Sequence, residues 1–523
     1  MGFDKFLKEE DTGGVPLLTT IRSREQEFLQ YIREMMHYQE VLHLLFWDVR
    51  TGAPKKGLGL RADVIGTMST KKFAMSISAE MKTYVEELSQ AEYYQQLSPI
   101  TRKVLEHAKK EYDLLIKIPE KEFASYEVAK ANASAAWEEA KHASDYSIFQ
   151  PHLEKLVETN KRFIDYWGYR ENPYNALLDQ YDPGMTVVRL DEVFTKVKAK
   201  LIPLLHRTQE AKSKPDTTFL GAAFPVEKQK DFHHFLLREL GYDFGAGRLD
   251  ETIHPFAVPL NRKDVRITTK FNESYFAGGL FATIHEYGHA LYELNIADEL
   301  IGTSLCTGTS TGFHESQSLL WEKMIGRSKP FWKQYYPTLS TYNQEQFHGV
   351  GLDDFYRAVN SVSPSFIRIE ADELTYPLHV ILRYEIEKGI FANEIEVRDL
   401  PEIWNQKMQE YLGIVPPDDR RGVLQDMHWS AGMFGYFPSY ALGYLFAAQI
   451  RNTMRKEIKE IDQLVEEAKF TPIKQWLAEN IHVHGKMKDP DQLLLEVTGE
   501  PLNSDHLLSY LEEKYSDIYK LDK

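Results

Sequence analysis

The stretch TIHEYGHALYE, residues 283–293, sets two histidines four residues apart with a glutamate directly after the first. On a helix, His285 and His289 stand one turn apart on one face, so both imidazoles reach one cation. Glu286 is rotated by about 100° from His285 and therefore sits beside the ion rather than on it. The same string also reads as a solvated helix carrying three polar residues, so the ligand set has to be completed elsewhere. A catalytic zinc takes three protein ligands and keeps one position open for water.

Glu293 continues the four-residue series, but it lies roughly 6 Å further along the axis, and three successive turns of a straight helix do not converge on one ion. The longer HExxHxxGxxH pattern also fails, because Tyr292 and Asn295 stand where glycine and histidine are required. The segment TGFHESQSLLWE begins 22 residues after His289 and shows helical spacing after a glycine-containing turn. It puts Glu315 near the start of a second helix as the candidate third ligand; a first-turn glutamate favoured by the helix dipole is the alternative.

The rest of the chain is mostly α. SREQEFLQYIREMMHYQEVLHLLFWDV opens with Ser23 and Gln26 at capping-box spacing and carries Phe28, Ile32, Met35 and Leu42 near the helical period. EFASYEVAKANASAAWEEAKHASDY is rich in helix formers, and QKDFHHFLLRELGYDFGAG ends its helix at Gly241. The clearest strand is DVRITTKF, with Val265 and Ile267 facing inward and Asp264, Arg266 and Thr268 facing the other side. No repeat or low-complexity tract marks a boundary, so residues 1–523 read as a single catalytic domain, in one or two lobes around a cleft.

With 78 acidic against 62 basic residues the net charge is −16, which disfavours nucleic acid and anionic membranes as partners. The start, MGFDKFLKEEDTGG, has no apolar signal core, and runs such as ALGYLFAAQI are far shorter than a membrane span. The single cysteine, Cys306, excludes an intramolecular disulfide framework and any Cys-rich zinc site, so a cytoplasmic location is expected.

HEYGH and HESQS, together with IHPF, DVRITT, FIRIEADELTYPLH, GVLQDMHW and GYFPSYALGY, resemble the carboxypeptidase Taq family of metallocarboxypeptidases, the bacterial type in particular. The resemblance runs from FWDVRTGAPK to PIKQWLAENIHVHGK and leaves out the first 20 residues. It implies a mainly α, gluzincin-like metallopeptidase fold with a deep substrate groove and a small β-sheet beside the metal helix, assembled as a homodimer. It further implies removal of single residues from peptide C-termini with broad tolerance, zinc ligands at His285, His289 and Glu315, and a catalytic glutamate at Glu286. Cobalt or manganese would also suit such ligands. Tyr287 and Gly288 lie outside the ligand set, so variation there need not affect the chemistry.

In this reading zinc and Glu286 activate a water that attacks the last peptide carbonyl, and Glu286 passes the proton to the leaving amine. His428 and Tyr436, with Tyr440 behind them, are candidate donors to the oxyanion, and each alone reads equally as a core residue with a satisfied polar tip. Arg368 is the leading candidate for the substrate carboxylate, the alternative being an intrahelical pair with Asp372. Arg420 and Arg421 are rivals in a loop. DVRITT is expected at a sheet edge, where a peptide adds as a further strand beside Arg266, unless Asp264 and Arg266 form a structural pair. His254 is expected to be packed or to support a ligand. The competing functions are an oligopeptidase or endopeptidase on the same scaffold, and a noncatalytic zinc- or peptide-binding protein. A GxMEN-type motif for gripping a free amine is absent.

Overall fold

The apolar period read from Ser23 onward belongs to one helix, Gly14–Thr51, in the computed structural model, which describes residues 14–521. Ser23 is not its cap: Pro16 fits the first turn, where a missing N–H is harmless, so the helix starts earlier and Ser23 donates to Glu27 from its interior. The opening MGFDKFLKEEDTG lies outside the described residues. Among the described residues no helix is long and apolar enough to cross a membrane.

The chain divides into two compact units, the first running to Ile116 with Asp298–Cys306, the second comprising Lys117–Ala297 and Thr307–Lys523. In the first, Phe28, Ile32 and Met35 of the long helix are buried, as are Met81, Tyr84 and Leu88 of the helix Ala79–Leu88. Phe28 and Tyr84 bring their ring centroids within 5.6 Å.

In the second unit the predicted helix Glu120–Ala143 buries alanines 129, 133, 136 and 140, and Ser144 turns through left-handed geometry into the helix Tyr146–Trp167. Gly241 ends Val226–Leu240 with φ 77°, as its sequence anticipates. Three strands follow: β1 (Leu249–Glu251), β2 (Ala257–Asn261) and β3 (Asp264–Thr269). β3 pairs parallel with β1 and antiparallel with β2, giving the order β1-β3-β2. DVRITT is therefore the central strand and not the expected edge; its ladder groups are used on both sides, and β2 is the edge that follows the IHPF loop. Val265 and Ile267 are buried as expected, but so is Thr268, whose hydroxyl accepts from Phe256 N at 2.9 Å. His254 is exposed, because it lies in the surface connection between β1 and β2.

Three histidines of this unit, His233, His379 and His482, are buried to within 1% exposure. Burial pushes His233 and His482 down to about 3, and His379 well below its ordinary value with Arg383 and Arg368 adding to the effect. All three stay neutral in the folded chain, whereas the unfolded chain takes up their protons below about pH 6.5. Their contribution to stability is complete above that pH and falls as the pH drops toward 3, by about 1.4 kcal/mol per pH unit for each proton. Urea unfolding of chelator-treated protein between pH 7 and pH 5 should show this slope. His482→Gln should lower the proton uptake by about one; an unchanged slope would contradict the account.

Candidate metal centre

The centre is built where three helices touch almost backbone to backbone. The helix Phe276–Leu294 carries HEYGH, and Thr311–Leu319, capped by the Ser310 hydroxyl on Phe313 N, carries Glu315. A Cβ on Gly288 would lie 2.5 Å from the carbonyl oxygen of Gln317 and 2.6 Å from Ser318 Cα. On the other side, a Cβ on Gly443 of the helix Phe437–Glu457 would lie 2.6 Å from Glu315 Cβ. No larger residue fits either position without parting the helices. Gly288, outside the ligand set, is thus a geometric requirement of the helix packing. Tyr287 beside it is buried and donates to Leu240 O at 2.8 Å.

His289 Nε2 and His285 Nε2 lie 3.3 and 3.7 Å from Glu315 Oε2, and one donor atom from each residue falls within 4.8 Å of the others. Ligands at about 2 Å from a tetrahedral ion stand roughly 3.3 Å apart, so the two imidazole–carboxylate separations are close to those such an ion imposes. Burial would push His285 down, but Glu315, Glu322 and Glu286 hold it up at about 9; His289, dominated by burial, falls to about 4. Glu293 is not among the donors: its Oε1 accepts instead from His314 Nε2.

Glu286 is buried on the same helix, rotated toward β2, where its carboxylate accepts the Ala257 amide. Burial raises it to about 7, opposed by His285 and reinforced by Glu315 and Glu322; a dication at the triad would lower it again. One supporting residue escaped sequence reasoning: Glu322 accepts from His285 Nδ1 at 3.0 Å. It sits in a π-helical turn, Leu320–Ile325, that continues the Glu315 helix, and Lys323 holds its other oxygen at 2.6 Å. The π-turn breaks the helical period, so spacing alone could not reveal it.

Tyr436, Tyr440 and Tyr376 are each raised by burial, with the Glu315 charge adding to the effect. Tyr436 and Tyr440 share a hydrogen bond, and His428 Nε2 lies 3.2 Å from the Tyr440 hydroxyl. Burial lowers His428 to about 3, opposed by Asp426 and reinforced by Arg368 and Arg383, so its ring is neutral.

Arg368 does not pair with Asp372, whose carboxylate accepts amides of a turn at Ser363, Leu374 and Thr375. Its Nε and Nη2 donate instead to Asp426 Oδ1 at 3.1 and 3.0 Å, and its guanidinium lies 4.6 Å over the Tyr440 ring. Arg383, fully buried and unanticipated from sequence, donates to Asp426 Oδ2 at 2.7 Å. Although burial pushes Asp426 up, the two guanidiniums hold it well below the usual carboxylate range.

The remaining candidates are engaged elsewhere. Arg266 forks onto Asp264 at 2.9 and 2.7 Å, the structural pair of the sequence reading. Arg421 is exposed and pairs with Asp418, and Arg420 is exposed in the same loop.

A His-His-Glu triad with a further carboxylate beside it is the donor set of HExxH metallopeptidases. The chain belongs to the Carboxypeptidase Taq (M32) metallopeptidase family, whose model matches residues 27–515. It is similar to carboxypeptidase 1 of Bacillus subtilis, 53% identical over 501 residues that cover 96% of this chain and all of that one. Thermostable carboxypeptidase 1 of Thermus thermophilus is 37% identical over 94% of this chain and 98% of its own. The crystal structure of the M32 carboxypeptidase from Deinococcus radiodurans superimposes with a TM-score of 0.92 at 34% identity, over 95% of this chain and 100% of that one. The protein is accordingly a metallocarboxypeptidase, a hydrolase of peptide bonds.

If the Gly288 contact sets the spacing of the triad, Gly288→Ala should cost about 1–3 kcal/mol of stability and weaken metal binding, because Glu315 is pushed off the histidine pair. Tyr287→Phe, which removes only the bond to Leu240, should keep metal affinity. Chelator competition on both variants checks this, and an unaltered affinity in Gly288→Ala would contradict it.

Proposed function

We propose that this carboxypeptidase holds zinc with His285, His289 and Glu315, uses Glu286 as its base, and removes single residues from peptide C-termini with broad tolerance. The observation that carries the reading is the convergence of two imidazole Nε2 atoms and one carboxylate oxygen, with Glu286 directly beside them. Bound there, zinc would polarise the scissile carbonyl and lower the pKa of a water. Glu286 takes the proton of the attacking water and returns it to the leaving amine, so no covalent enzyme intermediate is needed. Tyr436 and neutral His428, with Tyr440 joining them through hydrogen bonds, suit the oxyanion, since a neutral donor needs no discharge before it acts.

Carboxylate recognition is assigned to the Arg368 region. Two guanidiniums share one carboxylate there, leaving one positive charge in excess among Arg368, Arg383 and Asp426, and Nη1 of Arg368 uses one of its two protons on a 3.3 Å bond to Tyr376. Arg266 and Arg421, each already tied to an aspartate, are secondary contacts. An extended substrate pairs its main chain with β2, the edge strand that touches Glu286, which ignores side chains and so suits broad specificity. Homodimer assembly and a cytoplasmic location complete the reading on the strength of the family resemblance and the composition.

Mass spectrometry of one N-blocked peptide, as free acid and as C-terminal amide, with and without chelator, tests the reading. Stepwise, chelator-sensitive shortening of the free acid alone is expected; internal cleavage of both would mean an endopeptidase, and no cleavage a binding protein. Glu286→Gln should keep its zinc and lose about 10²–10⁴-fold in turnover, the usual range for a general base. Near-native turnover with full zinc would overturn that role.

A further inference from the structure

The two candidate ligand histidines are backed differently. His285 reaches a carboxylate directly through Glu322. His289 does so through a second imidazole: its Nδ1 lies 2.6 Å from Nδ1 of His314, and Nε2 of His314 lies 2.8 Å from Oε1 of Glu293. Glu293 is 3% exposed and its Oε1 also accepts from Thr307 Oγ1 at 2.8 Å and Gly308 N at 3.3 Å. The His314 ring is confined by Tyr292, with centroids 5.2 Å apart, and by Gly308, where a Cβ would lie 2.7 Å from its Cδ2.

The direction of this chain follows from which atoms carry protons. Glu293 only accepts, so His314 Nε2–H donates to it, and in the tautomer that carries its one proton there Nδ1 of His314 is bare. Two ring nitrogens that face each other bond only when one is protonated, so Nδ1–H of His289 donates to His314. That tautomer leaves the Nε2 lone pair of His289 pointing toward Glu315, 3.3 Å away, where a cation requires it.

We propose that His314 and Glu293 form a positioning relay that fixes the tautomer and ring orientation of His289. The inference rests on the reading of His289 as a ligand. It also gives a task to the residue before Glu315 in HES, and to Glu293, whose place in the four-residue series points to the metal without reaching it.

The test is zinc affinity by chelator competition, together with the thermal midpoint of each metal-free protein, on His314→Leu, His314→Asn, Glu293→Gln and His289→Ala. Leucine removes the acceptor, whereas the amide oxygen of asparagine takes its position without reaching Glu293. His314→Leu should weaken zinc about 10–100-fold, and His314→Asn should recover part of the loss at a similar metal-free midpoint. Unchanged zinc affinity with a lowered midpoint would mean a structural role only, and equal losses in the leucine and asparagine variants would also overturn the relay. Should His314→Leu fail to fold, unchanged affinity in both His314→Asn and Glu293→Gln would do the same. His289→Ala separates the two levels: native affinity there removes the ligand reading itself, whereas its loss beside an intact His314→Leu affinity removes only the relay.

Discussion

The structure depends on a backbone contact: the Gln317–Ser318 peptide lies against Gly288, and Glu315 lies against Gly443 on the opposite side. The helix Thr311–Leu319 is thereby held between two others at a separation that only hydrogen side chains permit. The distances from Glu315 to both imidazoles follow from that separation, since all three side chains are short and start from packed helices. Binding of a cation then needs little rearrangement, which is the structural meaning of preorganisation at a catalytic centre.

Burying so much charge is tolerable only because each group has a partner. Around the triad the charge is mostly acidic, with Glu286, Glu315 and Glu322 within mutual influence, and Lys323 and Arg327 offset Glu322. Across the phenols of Tyr376 and Tyr440 the balance reverses, where Arg368 and Arg383 share Asp426. An acidic cluster and a basic cluster therefore lie on either side of these phenols; in the proposed function the first draws the cation and the second the free carboxylate of the peptide terminus.

Local geometry was readable in the sequence wherever one element carried it. HEYGH offers two candidate ligands because helical spacing alone puts both on one face, and Glu315, which the sequence reads equally as a first-turn glutamate, comes within reach of both imidazoles only in the fold. Long-range pairing was not readable. DVRITT looks like an edge strand until β1 is found on its far side, and Arg368, a free carboxylate binder or a partner of Asp372 by sequence, is found on Asp426, 58 positions away. Glu322 was hidden by a π-turn and Arg383 by an apolar helix that gives no hint of a buried charge. The packing role of Gly288 was not readable, because a glycine inside a helix shows its purpose only when the neighbouring helix is in place.

The central claim is that two imidazoles and one carboxylate, and no other side chains, hold the metal. X-ray absorption at the zinc edge of the loaded protein addresses it directly. The account predicts light-atom scattering at about 2.0 Å with the multiple-scattering signature of two imidazoles, no sulfur shell, and loss of the carboxylate contribution in Glu315→Ala. A third imidazole in the shell would put His314 on the metal rather than behind His289 and would contradict it.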